Sequence, residues 1–201
     1  MAHENGMKPD DQVEPVLVSE PREWLLLTLR VIAFLATASA TLVMALNKET
    51  KKLVVATIGS TPITATLTAK FQHSPAFVFF VIANANASFH NLLMIGVELG
   101  GRKFDHKGLR LLFVAVLDML TVVLASSGDG AATFMADLGK RGNSHARWNK
   151  ICDKFDHYCS QGGGALIASY VGLGLLTIIS ILSTMRLVRL KPLGYQRAPV
   201  P

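Results

Sequence analysis

Residues 108–125, which read GLRLLFVAVLDMLTVVLA, decide the fold of this chain. These eighteen residues are almost wholly apolar, yet Asp118 lies near their middle. A helix of this length crosses a hydrocarbon core of about 30 Å. A carboxylate buried there costs at least ~2.5 kcal/mol unless a partner compensates it. The sequence therefore predicts a membrane helix whose acid is answered by a base on another span.

Composition extends this prediction to the whole chain. Half of the 201 residues are hydrophobic and 17% are charged, and the charges cluster between apolar runs, as is typical of a multi-pass membrane protein. Four runs are long enough to span, at 24–46, 76–97, 108–125 and 163–187. The first follows a polar tail, so it is not a cleavable signal peptide. We expect an all-α membrane protein: a four-transmembrane-helix bundle over 24–187, between a disordered cytosolic tail at 1–23 and a cytosolic tail at 188–201.

The distribution of basic residues predicts that both termini are cytosolic. Four spans place the two termini on one side, and short cytosolic segments are rich in lysine and arginine. The loop after span two, the start of span three and the C-terminal tail contain such residues: Arg102, Lys103, Lys107, Arg110, Arg186, Arg189, Lys191 and Arg197. Because cations that flank spans suit lipid headgroups, the net charge of +6 indicates membrane lipid as a partner and not nucleic acid.

Arg30 is the permanently charged base that lies well inside another apolar run, and we expect it to pair with Asp118. Counted from the cytosolic entry, Arg30 lies ~9 Å along span one and Asp118 ~15 Å along span three. A long arginine side chain can cover the difference. Two alternatives remain: Arg30 could snorkel to the headgroups, or Asp118 could be protonated. The pair could serve fold specification or transport alike.

Small residues on spans one and four predict close helix packing. Ala33 and Thr37 in span one, and Gly164, Ala168 and Gly172 in span four, recur at intervals of four. Such spacing lets helix backbones approach closely in lipid. The span-four face could pack inside its own bundle or against another copy, and the sequence does not choose between them.

Span two is unusually polar. Asn84, Ser88 and Asn91 follow helical spacing and form one stripe, which we expect to face protein rather than lipid. His90 lies beside it. An intramembrane histidine could titrate or bind metal, but no second ligand-type residue has suitable spacing, so we predict interhelical hydrogen bonding and no metal site.

Two outer segments separate the spans. Alternation of Ile63, Ala65, Leu67 and Ala69 with threonines predicts a strand, and a β-branched run at 53–58 with turn residues at 59–62 completes a small extracellular β-hairpin. The second segment spaces its apolar residues three or four apart, which predicts a short extracellular helix; these residues are Trp148, Ile151, Phe155 and Tyr158.

Cys152 and Cys159 both lie in the second outer segment, where an oxidising exterior favours a disulfide. Seven helical residues would separate their Cα atoms by ~10.5 Å, whereas a disulfide needs roughly 4.4–6.8 Å. If the two cysteines pair, we expect the helix to stop before Cys159 and the chain to bend there.

Several motifs together resemble the Casparian strip membrane-domain protein-like (CASP-like) family of land plants, over about residues 22–187. They are Leu29–Arg30, MALNKET at 44–50, PAFVFFVIAN at 75–84, Asp118, GKRGNSHARW at 139–148, and Ile151–Cys152 with Cys159. The resemblance implies a four-helix plasma-membrane protein related to MARVEL domains, with cytosolic termini, an intramembrane Arg and Asp typical of the family, and homo- or hetero-oligomers.

Strip-forming members of that family build a membrane platform that limits lateral diffusion and positions cell-wall lignification. Their first outer loop carries an acidic and aromatic signature. Residues 59–68 of this chain read GSTPITATLT instead. The resemblance therefore predicts a CASP-like relative rather than a strip-forming member.

No nucleophile with a paired base, phosphate loop or standard metal motif is present, so we predict no catalytic residues and no cofactor. The leading hypothesis is a non-enzymatic plasma-membrane scaffold that oligomerises laterally and organises a membrane subdomain or cell-wall modification. Its expected partners are further copies, related membrane proteins and cell-wall enzymes. The rival is a small transporter or channel whose polar path is lined by Arg30, Asp118, His90 and the asparagines. A claudin-like junction protein ranks last, because its cysteines would lie in the first outer segment.

Overall fold

The computed structural model describes residues 20–100 and 107–190. The elements follow one another as α1 (Glu20–Leu46), β1 (Lys48–Ile58), β2 (Thr61–Lys70), a 3₁₀ turn (Phe71–His73), α2 (Pro75–Leu99), α3 (Lys107–Arg141) and α4 (Asp156–Leu190). The predicted disorder of the first nineteen residues, the C-terminal segment 191–201 and the basic residues Arg102 and Lys103 lie outside the described residues.

Among the described residues, four helices are long and apolar enough to cross a membrane, which confirms the predicted bundle. The helices extend beyond the predicted spans. α1 begins at Glu20 rather than 24, α3 continues to Arg141, and α4 begins at Asp156 rather than 163 and continues past 187 to Leu190. α3 and α4 have 35 residues each, or ~52 Å at 1.5 Å per residue, so both project past a ~30 Å core. Hydropathy marks the apolar part of a helix, whereas backbone hydrogen bonds continue into polar sequence.

The predicted hairpin is also confirmed. β1 and β2 pair antiparallel from Lys48 opposite Lys70 to Ile58 opposite Thr61. Gly59 adopts φ +61° in the turn, a conformation that glycine tolerates without steric cost. Most residues of both strands are exposed, so the hairpin projects from the bundle instead of packing along it.

The short outer helix was predicted wrongly. No helix lies between Arg141 and Asp156; the chain instead turns at Gly142, which has φ +70°, and forms an isolated bridge between Asn143 and Trp148. The four apolar residues that suggested this helix do not share one buried face. Phe155 and Tyr158 are buried, and the Tyr158 ring contacts Phe77 edge-on. Trp148 and Ile151 are exposed by 56% and 50%.

Each helix packs extensively on two neighbours, in the ring order α1, α2, α3, α4 and back to α1. α1 and α3 are therefore diagonal to each other, as are α2 and α4. Small residues permit the close approach: a Cβ added at Gly128 of α3 would lie 2.8 Å from the Ala83 Cβ of α2. Two buried clusters fill the bundle, one nearer the hairpin and one nearer the termini; they are Ala40, Met44, Phe80, Ala132, Ala165 and Leu166, and Ala33, Ala87, Ala125, Leu176 and Ile179.

Candidate functional site

The structure brings Arg30 and Asp118 together across the diagonal of the bundle. Arg30 Nη1 donates to Asp118 Oδ1 at 3.1 Å and Nη2 donates to Oδ2 at 2.9 Å. Both side chains are buried, with 2% and 3% of their surfaces exposed. Paired parallel bonds between a guanidinium and a carboxylate are among the strongest hydrogen bonds in proteins. The long arginine stem is what lets α1 reach α3, with which it shares no extensive interface.

Two further helices bind the same carboxylate. His90 Nε2 on α2 lies 2.7 Å from Asp118 Oδ1, and Ser183 Oγ on α4 donates to Oδ2 at 2.7 Å. Since an ionised carboxylate only accepts, the His90 nitrogen that faces it carries a proton. One acid on α3 is thereby hydrogen-bonded to side chains of α1, α2 and α4. We call Arg30, His90, Asp118 and Ser183 the Asp118 cluster.

The Asp118 cluster leaves little capacity for a ligand. A carboxylate offers about four lone-pair sites, and Asp118 uses them on two guanidinium donors, one imidazole and one hydroxyl. On its other side, Arg30 Nε lies 3.6 Å from Oε1 of Glu98, near the end of α2. Glu98 is partly exposed, whereas the Asp118 cluster is sealed among the helices. The cluster therefore acts as a structural clamp: hydrogen bonds to one carboxylate link all four helices.

The predicted polar stripe on α2 is buried, and two of its three residues bond to other helices. Ser88 Oγ lies 2.9 Å from Thr37 Oγ1 on α1. Asn84 Oδ1 accepts from Ser169 Oγ on α4 at 2.8 Å. Asn91 donates to the Ala87 carbonyl of its own helix at 2.9 Å, so the structure does not bring it to another helix through that bond.

Sequence reasoning missed three buried polar residues that the structure places beside these: Asp129, Ser169 and Ser183. Asp129 follows a Ser-Ser-Gly run that resembles a membrane exit, and isolated serines in apolar helices attract no notice. A signal was nonetheless present. Asp129 is eleven residues after Asp118, about three helical turns, which places both acids on one face of α3.

The small residues on spans one and four divide into two groups. Ala33 and Thr37 are fully buried, and a Cβ added at Gly172 would lie 2.8 Å from the Thr37 Cγ2. α1 and α4 therefore touch at Thr37 and Gly172. Ala168 is half-buried beside the core cluster nearer the hairpin. Gly164 faces open space, since a Cβ added there would meet nothing within 4 Å.

At the hairpin end of the bundle, a second polar cluster joins the hairpin to α4. Asn47 Nδ2 donates to the Tyr158 carbonyl at 2.8 Å, and the Tyr158 amide donates to Glu49 Oε2 at 2.8 Å. Glu49 also pairs with Lys51 at 2.8 Å. The Lys51 bond and the Tyr158 amide hold the pKa of Glu49 below its ordinary range. Glu49 satisfies an amide of the first turn of α4, which has no partner within the helix.

Beside this junction, Cys152 and Cys159 form the predicted disulfide, with their Cα atoms 5.6 Å apart. The position of the bend was predicted wrongly. Cys159 lies in the first turn of α4, which begins at Asp156, and Cys152 lies in the irregular segment before it. The chain bends between the two cysteines, because a continuous helix would hold them ~10.5 Å apart.

Comparison with known proteins identifies relatives of this chain. The family model for the Casparian strip membrane protein domain matches residues 19–175. CASP-like protein 1B1 of Populus trichocarpa is 69% identical over 190 residues, which cover 93% of this chain and 97% of the relative. CASP-like protein 1B2 of the same species is 66% identical over 176 residues, 88% of each chain. CASP-like protein 1B2 of Arabidopsis thaliana is 60% identical over 168 residues, which cover 83% of this chain and 85% of the relative. No solved structure gives a significant match.

Proposed function

Because the chain belongs to the Casparian strip membrane protein domain family, we propose that this multi-pass membrane protein is a non-enzymatic scaffold of the plasma membrane. It assembles laterally, with further copies and with related membrane proteins, and organises a membrane subdomain or the modification of the adjoining cell wall. This role depends on what the bundle presents to its surroundings, since the intramembrane charges Arg30 and Asp118 are buried among the helices.

The observation that carries the proposal is the full use of Asp118. Its carboxylate accepts from donors on the three other helices, which makes it a structural fastening. Catalysis needs a nucleophile, acid or base within reach of a bound substrate, and a sealed, saturated carboxylate does not meet that requirement. The clamp supports a rigid bundle that can serve as a building block.

The outer surfaces of the helices support lateral assembly. Only 22% of the most apolar 18-residue stretch of α3 is buried within the bundle. Apolar side chains therefore cover most of the exterior of that helix. Exterior Gly164 offers a place where another helix backbone could approach, since small residues favour association in lipid. The proposed occupant of this face is α4 of a second copy.

The disulfide supports the proposed orientation. Disulfides persist in oxidising exteriors, and Cys152–Cys159 lies at the same end of the bundle as the hairpin, to which Glu49 and Tyr158 connect it. We therefore assign the hairpin to the outer face and both termini to the cytosol. The exposed hairpin is then the surface available to cell-wall enzymes.

The test is the particle mass of purified full-length protein in nanodiscs, measured for wild type, Gly164→Leu and Gly164→Ala. If α4 mediates assembly, the leucine variant should form smaller particles with an unchanged unfolding midpoint, and the alanine variant should retain wild-type mass. Equal masses for wild type and the leucine variant, both folded, would contradict assembly through this face.

A transporter remains the second candidate, because polar side chains occur at successive levels of the bundle interior, from Glu98 through Asp118 and Ser88 to Asp129. Proteoliposome flux of protons and small cations separates the two functions. Flux above that of empty vesicles, abolished by Asp118→Asn in correctly folded protein, would support the transporter and contradict the scaffold.

A further inference from the structure

Asp129 is a buried acid that the Asp118 cluster does not use. It lies on α3 with 0% of its surface exposed, ~16 Å farther toward the hairpin than Asp118. Its Oδ1 lies 2.6 Å from Ser169 Oγ, and its Oδ2 has no hydrogen-bond partner. Within residues 20–100 and 107–190, no basic side chain pairs with Asp129.

The charged groups of the packed helices are distant or already paired. On α3, Asp118 lies ~16 Å inward and is bound to Arg30 of α1, and Asp137 lies ~12 Å outward and pairs with Arg141. His90 of α2 is six residues from Asn84, about 9 Å, and faces Asp118. On α4, the Tyr170 phenol is hydrogen-bonded to Thr133, and His157 lies twelve residues from Ser169, about 18 Å. An ionised Asp129 would be an uncompensated buried charge, which proteins avoid.

Counting hydrogen-bond donors gives the same answer. Asn84 Nδ2 donates to the Phe80 carbonyl at 3.2 Å, which turns Asn84 Oδ1 toward Ser169 at 2.8 Å. Both Asn84 Oδ1 and an ionised Asp129 Oδ1 would be acceptors. Ser169 has one hydroxyl hydrogen, so it cannot donate to both of them at once.

A proton on Asp129 Oδ1 removes this conflict. The acid then donates to Ser169 Oγ, Ser169 donates to Asn84 Oδ1, and Asn84 donates to the Phe80 carbonyl. Each bond of this series then has its own hydrogen, and the buried charge disappears. Distances of 2.6 and 2.8 Å between the oxygens are hydrogen-bond distances between neighbouring polar groups.

We propose that Asp129 is a proton-binding site, and that its proton completes a hydrogen-bonded series that joins α3 to α4 and α2. The two buried acids of α3 thus have opposite states: Asp118 is ionised and bound to arginine, and Asp129 is neutral and bound to serine. Loss of the proton would place a charge between α2 and α4 in the half of the bundle nearer the hairpin and weaken their packing.

The test is infrared spectroscopy of the full-length protein in lipid at neutral pH, which detects the carbonyl stretch of a protonated carboxylic acid. Wild type should show this band, with the expected shift in D₂O. Asp129→Asn should lose it, and the matched control Asp137→Asn, at an exposed acid, should keep it. A wild-type spectrum without the band, or a band that remains in Asp129→Asn, would overturn the proposal.

Ser169→Ala gives a second readout that does not require the Asp129 variant to fold. It keeps the acid and removes its acceptor, so the band should persist and move to the frequency of a free acid. Wild type should also lose stability as pH rises, because the native state binds a proton that the unfolded chain releases, and Asp129→Asn should lack this component. No change in the band on Ser169→Ala, or the same pH dependence in Asp129→Asn and wild type, would contradict the assignment.

Discussion

At the scale of single residues, Asp118 contributes more to the bundle than any of its partners. Arg30, His90 and Ser183 each bring donors from one helix, whereas Asp118 is the acceptor that all of them share. Removal of one donor leaves the carboxylate partly satisfied. Removal of the carboxylate leaves a buried guanidinium, an imidazole and a hydroxyl without their common partner.

We therefore predict a graded response to substitution. Asp118→Asn should destabilise the protein by about 3–5 kcal/mol, the usual result of breaking a buried ion pair. Ser183→Ala removes one bond to a charged acceptor and should cost about 1.5–3 kcal/mol. Unfolding midpoints in detergent would measure both, and equal stability of Asp118→Asn and wild type would refute the clamp.

The sequence could predict the charged members of the Asp118 cluster but not its serine. Arg30 and Asp118 are conspicuous because charge is rare in apolar runs, and the structure brings them together. Ser183 and Ser169 carry no charge, and serine is common in membrane helices, so nothing in the sequence marks them as partners. Asp129 was overlooked because it lies beyond the apolar run at 108–125. The helix α3 nevertheless continues past it to Arg141.

At the scale of elements, periodicity predicted which segments form helices and strands better than it predicted their ends. The hairpin follows from strict alternation, which belongs only to strands. The prediction of a short outer helix failed because regular spacing does not require one helix. Trp148 and Ile151 have the same spacing as Phe155 and Tyr158, but the four residues do not lie in one structural element. The Cys152–Cys159 disulfide links that segment to α4, and Asn47 and Glu49 bond to Tyr158 in the first turn of α4 across more than a hundred residues.

The junction of the hairpin with α4 should weaken in acid. The pKa of Glu49 is lowered, so its contribution is complete above the ordinary value of 4.5 and is lost as pH falls through the lower folded-state value. Hydrogen exchange at the Tyr158 amide, corrected for intrinsic rates, should rise over that interval. Lys51→Met removes the largest cause of the lowered pKa, so its loss should begin at higher pH.

Glu49→Gln is the control for that experiment. It keeps an acceptor for the Tyr158 amide but has no carboxylate to titrate, so protection should be independent of pH over the same interval. An acid response in Glu49→Gln that equals the wild-type response would show that another group governs the junction.

The contact between α1 and α4 makes a prediction about glycine. Gly172→Leu places a side chain where even a Cβ lies 2.8 Å from Thr37 Cγ2, and such overpacking costs about 1–3 kcal/mol. Gly174→Leu is the matched control, because a Cβ there meets nothing within 4 Å. Thermal unfolding should show a lower midpoint for the first variant only, and equal midpoints would mean that the helices readily separate at Thr37.

At the scale of the whole molecule, the ring order of the helices explains why one arginine matters so much. α1 and α3 are diagonal, so Arg30 and Asp118 connect two helices that share no extensive interface. Hydropathy gives the number of spans but not their order around a ring. The order depends on close contacts such as Gly128 with Ala83 and Gly172 with Thr37, which only the folded chain shows.

Lateral assembly with other copies in the membrane is the proposed mode of action of this bundle. Its most direct test is to count subunits by stepwise photobleaching of singly labelled, full-length protein, reconstituted into bilayers at low protein density. We predict that most fluorescent spots bleach in several steps, and that Gly164→Leu shifts the distribution toward single steps. Spots that bleach in one step at every protein density, from folded wild-type protein, would contradict the account.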